Sequence, residues 1–480
     1  MKILILGNGA REKVIAEKLN NNNNVLIYNN EREEKIKNIC IEKKIDLVIP
    51  STEVYLCNGI VDYLQNEIDN IKVFGPNKYQ SQIEGSKYFS KKIMQELNIP
   101  TSKYTFLNNY EEVKKFYQDI HICPEKTVIK YDGLAYGKGV YLPDTVEESL
   151  KAIKNLFYKN DGGIIVERRL YGTEVSVLAF CNGKDAYLMP QAQDYKRIYD
   201  GDKGPNTGGM GAVCPVNILS DKELIEVKKD MDKIVKKLNY KGILYAGLMK
   251  SNDGGVYFLE FNCRFGDPET QVILNLLDSN LLNILNDCIE GNDLLIKWKD
   301  KCAACVVLSH ILYPEEKLKQ VTNISYLDEI DNTVKIYHSN VNDVGEYQYT
   351  TGGRVLSMVS ISNTMQTALE NVYNNIYKID YEGVYYRRDI GSNNKVSKKK
   401  PISIAILASG NGTSVEKLLE ERSNNIKIII TDKMKANILL KAKLYDIPYF
   451  CFPRLNYTKK DYYEKIVNIL RQFNIEILIL

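Results

Sequence analysis

The stretch Thr127-Val-Ile-Lys-Tyr-Asp-Gly-Leu-Ala-Tyr-Gly-Lys-Gly-Val-Tyr-Leu142 carries an apolar segment, a glycine-rich turn and a second apolar segment. It predicts two strands, Thr127 to Lys130 and Val140 to Leu142, joined by a hairpin turn. The backbone N–H groups of such a turn and the ammonium of Lys138 can surround a triphosphate. Lys130 favours this interpretation, because an ammonium that ends an apolar strand needs an anionic partner. An ordinary flexible hairpin is the alternative that the pattern leaves open.

The N-terminal region has a different pattern, in which strands and helices alternate. The predicted elements are strand Lys2 to Leu6, helix Arg11 to Leu19, strand Val25 to Tyr28 and strand Leu47 to Pro50. This order is typical of a parallel sheet, and Gly7-Asn8-Gly9 follows the first strand where a phosphate could meet helix N–H groups. A nicotinamide-binding fingerprint requires glycine in place of Glu12 and an acid in place of Asn29, so a nicotinamide-dependent oxidoreductase is disfavoured.

Composition restricts the class of protein. The chain has 480 residues, 44% of them hydrophobic and 26% charged, which is typical of a soluble globular protein with about three domains. Lys and Arg (64) nearly balance Asp and Glu (61), so no global field attracts nucleic acid or an anionic membrane. The ten scattered cysteines and the absence of a long apolar run predict a cytoplasmic protein with reduced thiols and no transmembrane helix. Cys302 and Cys305 are expected to be structural, because no second ligand pair completes a zinc site.

A candidate metal site lies in the segment Leu259-Glu-Phe-Asn-Cys-Arg264. Glu260 and Asn262 are two residues apart on a predicted strand and therefore point to one face. Oxygen ligands on one face suit Mg²⁺. A half-exposed strand with outward polar residues explains the same pattern equally well.

Two long motifs carry a resemblance to a known family. They are Gln193-Asp-Tyr-Lys-Arg197 with Gly204-Pro-Asn-Thr-Gly-Gly-Met-Gly211, and Arg264-Phe-Gly-Asp-Pro-Glu-Thr-Gln271. Shorter motifs support them in order: Gly7-Asn-Gly-Ala-Arg-Glu12, Phe74-Gly-Pro76, Glu84-Gly-Ser-Lys87, Tyr245-Ala-Gly-Leu-Met249 and Tyr386-Arg-Arg-Asp-Ile-Gly391. Up to about residue 391 the chain resembles glycinamide ribonucleotide synthetase (phosphoribosylamine–glycine ligase), an ATP-grasp family of purine biosynthesis.

The resemblance implies a carbon–nitrogen ligase with glycine and 5-phosphoribosylamine as substrates and ATP with Mg²⁺ or Mn²⁺ as cofactors. The glycine carboxylate would attack the γ-phosphate of ATP, and the amine would then capture the acyl phosphate. Another purine-pathway ATP-grasp ligase and an inactive nucleotide-binding scaffold are the alternatives. Channelling to other purine-pathway enzymes is a further implied partnership.

The family's site residues map onto positions of this sequence. Arg264 and Lys130 would be catalytic, and Glu260 and Asn262 would hold the metal. The nucleotide would contact Lys91, Lys130, Lys138, Glu167, Arg168, Arg169, Leu170, Glu174, Arg197 and Asn206, with Glu167 to Leu170 as the adenine hinge and Glu174 on the ribose. The amine substrate would lie near Gly9, Arg11, Asp202 and Arg264.

Three positions depart from the family's usual residues. Ser51-Thr52-Glu53 replaces a Gly-Pro-Glu, and Lys13 and Tyr195 each replace a histidine. All three are expected on the phosphoribosylamine side. We therefore expect them to alter the affinity for that substrate more than the use of ATP.

The segment Ile404-Ala-Ile-Leu-Ala-Ser-Gly-Asn-Gly-Thr-Ser414 predicts a strand followed by a phosphate-binding loop. Through this segment the tail from Pro401 resembles the beginning of a glycinamide ribonucleotide formyltransferase, although the usual Ser-Asn of that family is Thr413-Ser414 here. Gly412, Thr413 and Ser414 would hold a ribonucleotide phosphate. The catalytic Asn, His and Asp of that family have no counterparts in these 480 residues. We expect a fragment of a longer bifunctional protein, with a relic tail as the alternative.

The predicted fold class is a multidomain α/β and α+β protein. The predicted domains are an N-terminal parallel-sheet (pre-ATP-grasp) domain at 1–100, an ATP-grasp domain at 101–317 with a mobile lid at about 114–181, a small α+β domain at 318–391, a linker at 392–400, and an incomplete Rossmann-like α/β segment at 401–480.

Overall fold

A computed structural model describes most of the chain: residues 1–20, 23–30, 32–118, 123–134, 139–159, 162–314, 323–325, 330–339, 341–344, 347–392, 403–410, 418–419, 426–473, 475 and 477–480. The predicted site residues Lys138, Gly412, Thr413 and Ser414 lie outside these ranges. The chain divides into two compact units. The first comprises Met1–Lys196, Asn206–Cys305 and Ile361–Ala368, and the second comprises Arg197–Pro205, Val306–Ser360 and Leu369–Leu480.

The first unit begins with a parallel four-stranded sheet, as the alternating pattern predicts. Its strands, in spatial order, are Asn24–Tyr28, Lys2–Leu6, Leu47–Pro50 and Lys72–Val73. The helices in this region are Ala10–Leu19, Glu33–Lys43, Glu53–Asn58, Ile60–Glu67, Gln82–Gly85 and Lys87–Glu96. Ile3 to Leu6 are fully buried, because a strand inside a parallel sheet is covered on both faces.

An antiparallel sheet, which we call the central sheet, carries the candidate metal ligands. Its strands, in spatial order, are Ala186–Leu188, Gly172–Asn182, Lys241–Ser251 and Val256–Asn262. The two long inner strands are almost wholly buried, and Phe258 and Phe261 of the edge strand pack into the same core. This core leaves Glu260 on the other side of the pleat from Phe261.

A second antiparallel sheet, which we call the hairpin sheet, contains the stretch that opens the sequence analysis. Its strands, in spatial order, are Tyr104–Leu107, Ile164–Arg168, Thr127–Tyr131 and Val140–Tyr141. The helices nearby are Tyr110–Gln118 and Val146–Lys159, after which Asp221–Leu238, Glu269–Leu276 and Leu281–Glu290 follow in the first unit. Strands Gln193–Asp194 and Gly211–Cys214 also pair. The strands predicted at 127–130 and 140–142 are both confirmed, the first one residue longer at its end and the second one residue shorter.

The second unit contains short hairpins and part of a larger sheet, in which Val334–His338 with Arg354–Ser362, and Cys302–His310 with Val384–Tyr385, pair in antiparallel fashion. Strands Arg197–Tyr199 and Lys203–Asn206 pair, as do Val341–Val344 and Tyr347–Thr350. Strand Cys302–His310 has Arg354–Ser362 and Val384–Tyr385 as neighbours, Val334–His338 lies beyond Arg354–Ser362, and helix Met365–Ile376 follows along the chain. Both cysteines of the CxxC pair lie in the part of strand Cys302–His310 that belongs to the first unit, and none of the ten cysteines forms a disulfide.

The C-terminal part of the second unit is a parallel sheet with its helices, which we call the tail. Its strands, in spatial order, are Tyr449–Cys451, Ile426–Thr431, Ile404–Leu407 and Ile477–Ile479. Helices Ile438–Leu444 and Lys459–Gln472 belong to it. None of the helices in the described part of the chain combines the length and apolar composition that crossing a membrane requires.

Candidate active site

Arg264 lies just beyond the edge strand of the central sheet and connects several acidic and polar groups. Its Nε donates to Glu53 Oε2 at 3.1 Å, and its terminal nitrogen lies 3.2 Å from Glu84 Oε1. The same nitrogen donates to Asn262 Oδ1 at 3.3 Å. A planar guanidinium suits this task, because it presents several donors in a fixed geometry. The side chain that the resemblance makes catalytic is thus held in place by two carboxylates.

The two carboxylates differ in their tendency to take up a proton. Burial raises the pKa of Glu84, although Arg264 acts against this. Burial also disfavours the charge of Glu53, but Arg264 and Arg11 outweigh it and hold the pKa of that carboxyl below its ordinary value. Glu53 is therefore the firmly ionised partner of Arg264, and Glu84 is the one that binds a proton more readily.

Glu260 is surrounded by cations, and none of those in the described part of the chain contacts its carboxylate directly. Within the described part of the chain its carboxylate has neither a hydrogen bond nor an ion pair. Burial acts to raise its pKa, but Lys196, Lys130 and Lys87 outweigh that effect and lower it. An ionised carboxylate without a direct partner is suited to bind a cation that arrives with an anionic ligand.

Glu260 and Asn262 fit the oxygen-ligand chemistry of Mg²⁺, which is commonly held by one or two side chains and by substrate phosphates. They stand on one face of the strand Val256–Asn262, as the spacing predicts. Among the described residues no group of three His, Cys, Asp or Glu side chains forms a metal site from protein alone. Within the described residues, Glu260 and Asn262 are thus an open pair of oxygen groups on one strand.

Two buried lysines share one buried glutamate in the hairpin sheet. Lys91 Nζ lies 3.0 Å from Glu167 Oε2, and Lys130 Nζ lies 3.0 Å from Glu167 Oε1. Lys91 also donates to Thr101 Oγ1 at 2.7 Å, and Lys130 donates to the Leu259 carbonyl at 3.1 Å. Burial lowers the pKa of Lys91 to about 8, although Glu167 acts against this. The anionic partner that the sequence predicts for Lys130 is thus Glu167, which leaves a net positive charge in this cluster.

The backbone of the predicted adenine hinge continues from Glu167. Arg168 N donates to the Lys103 carbonyl at 2.9 Å, and Arg169 N donates to the Lys126 carbonyl at 2.7 Å. These bonds join the hinge to the neighbouring segments. Arg168 is exposed, whereas Arg169 and Leu170 are half-buried.

Lys87 begins the helix Lys87–Glu96 beside this cluster. Ser86 caps the helix by accepting from Phe89 N at 3.0 Å, and its hydroxyl lies 3.0 Å from Asp132 Oδ1. Lys87 Nζ donates to the Gly133 carbonyl at 3.0 Å. Burial lowers the pKa of Lys87, although the carboxylate of Glu260 acts against this. The helix end is thereby tied to the first residues of the glycine-rich turn.

Lys196 brings a further cation towards Glu260. Its Nζ lies 2.8 Å from Glu174 Oε2 and 3.9 Å from Asp194 Oδ2. Burial disfavours its charge, but Asp194 and Glu174 outweigh burial and hold the pKa of Lys196 well above its ordinary value. Glu174, the predicted ribose ligand, is therefore already engaged by a lysine. Asn206 belongs to the first unit and is half-buried.

The N-terminal glycine turn is occupied by the chain's own carboxylate. Glu12 accepts from Gly9 N, and its Oε1 lies 2.9 Å from Arg11 Nε and 2.6 Å from Ser51 Oγ. Gly7 has a φ of +134°, and a Cβ there would come within 2.8 Å of Glu12 and Ser51. A buried carboxylate at this helix N-terminus stands where a dinucleotide phosphate would bind. The nicotinamide alternative therefore has no support here.

Arg197 and Asp202 belong to the second unit, where a buried arginine holds their hairpin. Arg387 donates to the Arg197 carbonyl at 3.0 Å and to Asp202 Oδ1 at 2.8 Å, and its side chain is fully buried. Arg197 itself donates to the Gly204 carbonyl at 2.5 Å. Asp202, predicted near the amine substrate, is thus the partner of Arg387.

Sequence reasoning gives no role to four residues of this site. Glu84 and Lys87 are the first and last residues of a motif that is used only to recognise the family. Glu53 is mentioned only because the unusual Ser51 and Thr52 precede it. Lys196 is likewise only part of a motif. The sequence shows that these residues are charged and belong to short motifs. It does not show which residues they contact, because those partners lie far away in the sequence.

Comparisons with known proteins cover most of the chain. Family models match as "Phosphoribosylglycinamide synthetase, N domain" at residues 24–84, "ATP-grasp (A) domain" at 85–270 and "C domain" at 303–393. A phosphoribosylamine–glycine ligase of Caldanaerobacter subterraneus is 38% identical over 423 residues, covering 82% of this chain and all of that protein. The bifunctional purine biosynthetic protein purD of Dictyostelium discoideum is 36% identical, covering 83% of this chain and 56% of that protein.

A solved structure has the same fold. The crystal structure of phosphoribosylamine–glycine ligase from Thermotoga maritima matches with a TM-score of 0.69 and 29% identity, covering 81% of this chain and all of that one. The matched family models end at residue 393, before the tail. The chain belongs to the phosphoribosylglycinamide synthetase (phosphoribosylamine–glycine ligase) family of ATP-grasp enzymes.

Proposed function

We propose that this enzyme ligates glycine to 5-phosphoribosylamine in de novo purine biosynthesis. A glycine carboxylate oxygen attacks the γ-phosphorus of ATP, which forms glycyl phosphate and releases ADP. The amine of phosphoribosylamine then attacks the carbonyl carbon, inorganic phosphate leaves and the amine nitrogen loses a proton. The products are glycinamide ribonucleotide, ADP and phosphate.

The observation that carries this proposal is the set of cations around Glu260, whose carboxylate has no direct partner among the described residues. The first step brings a carboxylate against a triphosphate, so the two anions repel unless positive charge surrounds them. Lys87, Lys130 and Lys196 act on Glu260, and Arg264 adds a guanidinium held by Glu53 and Glu84. Such fixed charges lower the barrier without reorganising during the reaction.

The nucleotide end is assigned to the hairpin sheet and its neighbours. ATP-grasp enzymes use ATP and divalent metal ions. Lys91 and Lys130 contact the phosphates, Lys138 and its turn close over them as a mobile lid, and Glu167 to Leu170 form the adenine hinge. Glu174 binds the ribose after exchanging its contact with Lys196, and Arg197 and Asn206 complete the nucleotide site. Glu260 and Asn262 hold Mg²⁺ or Mn²⁺, which would neutralise phosphate charge.

The amine end is assigned to the N-terminal turn. Gly9 and Arg11 lie near phosphoribosylamine, and Arg264 stabilises the transferring phosphoryl group. We also assign Asp202 to the amine substrate. Its side chain is 68% exposed, and it would contact the substrate while keeping its ion pair with Arg387. Ser51 contributes a hydroxyl to Glu12 at a position where the family usually has glycine, so the amine substrate meets an altered surface.

The remaining assignments follow the same reasoning. We place the domain limits at 100, 317 and 391, and we assign the tail to a formyltransferase-like, Rossmann-like segment because its strands form a parallel sheet. We assign the protein to the cytoplasm, with channelling to other purine-pathway enzymes. A different purine-pathway carboxylate substrate is the competing assignment, and assays of glycine against other small carboxylates distinguish the two.

The test of the proposed function is the variant Glu260→Gln, which removes the charge and keeps the shape. We expect phosphoribosylamine-dependent ADP release to fall by about 10²- to 10³-fold, because a transition-state electrostatic contact is lost. Glu226→Gln, which changes an exposed carboxylate on the helix Asp221–Leu238, is the matched control and should retain full activity. Unchanged turnover in Glu260→Gln would refute the metal assignment, and no ADP release from the unmodified enzyme would refute the ligase.

A further inference from the structure

The tail contacts the rest of the second unit through four aromatic side chains, which we call the aromatic cluster. Phe473 follows the tail helix Lys459–Gln472, and its ring lies 5.7 Å from Tyr199, 6.0 Å from Tyr385 and 6.3 Å from Phe450. Phe450 is part of a tail strand, whereas Tyr199 and Tyr385 lie outside the tail. Phe473 and Tyr385 are only 9% and 7% exposed, so this contact is part of a packed interior.

The aromatic cluster lies against the short hairpin at 197–205, which carries Arg197. Tyr385 OH donates to the Ile198 carbonyl at 3.0 Å, and Arg387 donates to the Arg197 carbonyl at 3.0 Å. Asp389 Oδ2 accepts from Gly201 N at 2.8 Å. Residues 385–389 therefore hold the first strand and the turn of the hairpin, and Phe473 packs on the ring that begins this segment.

A second contact joins the tail to the same unit independently of the aromatic cluster. The carboxylate of Asp380 accepts from Lys443 Nζ at 2.6 Å and from Tyr449 OH at 2.7 Å. Each donor belongs to a different tail element, since Lys443 lies on the helix Ile438–Leu444 and Tyr449 begins a strand. Two donors on one carboxylate restrict the orientation of the tail more than one surface ion pair would.

We propose that the tail braces the ligase, with Phe473 as the positioning residue that fixes the hairpin at 197–205. The inference rests on the proposed function, because Arg197 is a residue assigned there to the nucleotide. The tail does this through packing alone and needs no chemistry of its own. Its effect is to restrict the backbone of Arg197 before ATP binds, which lowers the entropy lost on binding.

The test is Phe473→Ala in the full chain, compared with Phe473→Leu and with Tyr463→Ala. Tyr463 lies on the same tail helix and is 48% exposed, so it controls for loss of an aromatic ring. In Phe473→Ala we expect amide exchange in peptides covering 197–205 to be about tenfold faster. We also expect KM for ATP to rise by about fivefold with kcat nearly unchanged, because the hairpin is displaced and the reacting groups are not. Phe473→Leu should recover most of both effects, and Tyr463→Ala should show neither.

A second variant keeps the proposal testable if Phe473→Ala prevents the tail from folding. Asp380→Asn weakens the contact with Lys443 and Tyr449 from outside the tail, so it loosens the brace while the tail keeps its own core. Faster exchange at 197–205 in both variants supports the proposal. Unchanged exchange and KM in a folded Phe473→Ala protein would overturn it. If the unmodified enzyme lacks ligase activity, the exchange measurement still decides whether the brace exists.

Discussion

At the scale of one residue, Arg264 supplies a positive charge that the protein holds in position before substrate binds. Its guanidinium lies against Glu53 and Glu84 and still reaches Asn262, so its position does not depend on a bound phosphate. The motif predicts a catalytic role for Arg264, since a phosphoryl-transfer site needs a fixed cation, and that role stays a prediction. The two carboxylate partners of Arg264 were not predictable, because contacts between distant residues leave no periodic signal in one sequence.

Lys91 gives a prediction about pH. Its pKa of about 8 means that the ammonium of the free enzyme loses its proton as pH rises above 8. We expect kcat/KM for ATP to fall about tenfold for each pH unit above that point, because the phosphates lose a cation. At saturating ATP, kcat should change less, since bound phosphates stabilise the ammonium. Stability should move the other way and rise between pH 8 and about 10.5, where the unfolded chain binds the proton more tightly.

The measurement is a pH–rate profile from about pH 6.5 to 9.5 for the unmodified enzyme and for Lys91→Met. The variant has no proton to lose at this position, so its lower kcat/KM should lack the fall above about pH 8. An identical fall in both proteins would assign the titration to another group.

At the scale of an element, the first residues of the helix Lys87–Glu96 contact the segment that begins the glycine-rich turn. Ser86 caps it and also meets Asp132, and the first helical residue donates to the glycine-rich turn. We predict that Ser86→Ala lowers the free energy of unfolding by about 1 kcal/mol, the usual cost of losing such a cap. It should also raise KM for ATP, because Asp132 loses a contact beside that turn.

The comparison variant is Ser220→Ala, which removes the cap of the helix Asp221–Leu238. It should lose a similar amount of stability in urea titrations and keep its KM. Equal KM values in the two variants would mean that the Ser86 cap serves stability alone.

The elements themselves were largely predictable. The strands Lys2–Leu6 and Leu47–Pro50 have the predicted bounds, because short, continuous apolar runs are typical of buried parallel strands. The helix after Gly9 begins at Ala10, one residue earlier than predicted. The role of Glu12 was not predictable, since nothing in a single sequence shows that its carboxylate turns back to accept from Gly9.

At the scale of the whole molecule, Arg387 is a central residue of the second unit. It is fully buried and pairs with Asp202 and Asp389, so its removal leaves a partly buried carboxylate without its cation. We predict that Arg387→Ala destabilises the second unit by on the order of 3 kcal/mol. Hydrogen exchange should show this loss in peptides from 369–392 and 197–205.

Arg454→Ala is the matched control, because Arg454 is an exposed arginine of the same unit. It should leave exchange in these peptides unchanged. Equal protection in both variants would contradict the predicted destabilisation and show that the charge pairing of Arg387 does not support this unit.

The aromatic cluster also bears on how this chain can change over generations. Tyr199 and Phe473 are far apart in the sequence yet share one packed interior, so a substitution at one alters which residues are tolerated at the other. A tail without any catalysis would remain under purifying selection through this contact. Through this contact the ligase would limit which substitutions the tail tolerates.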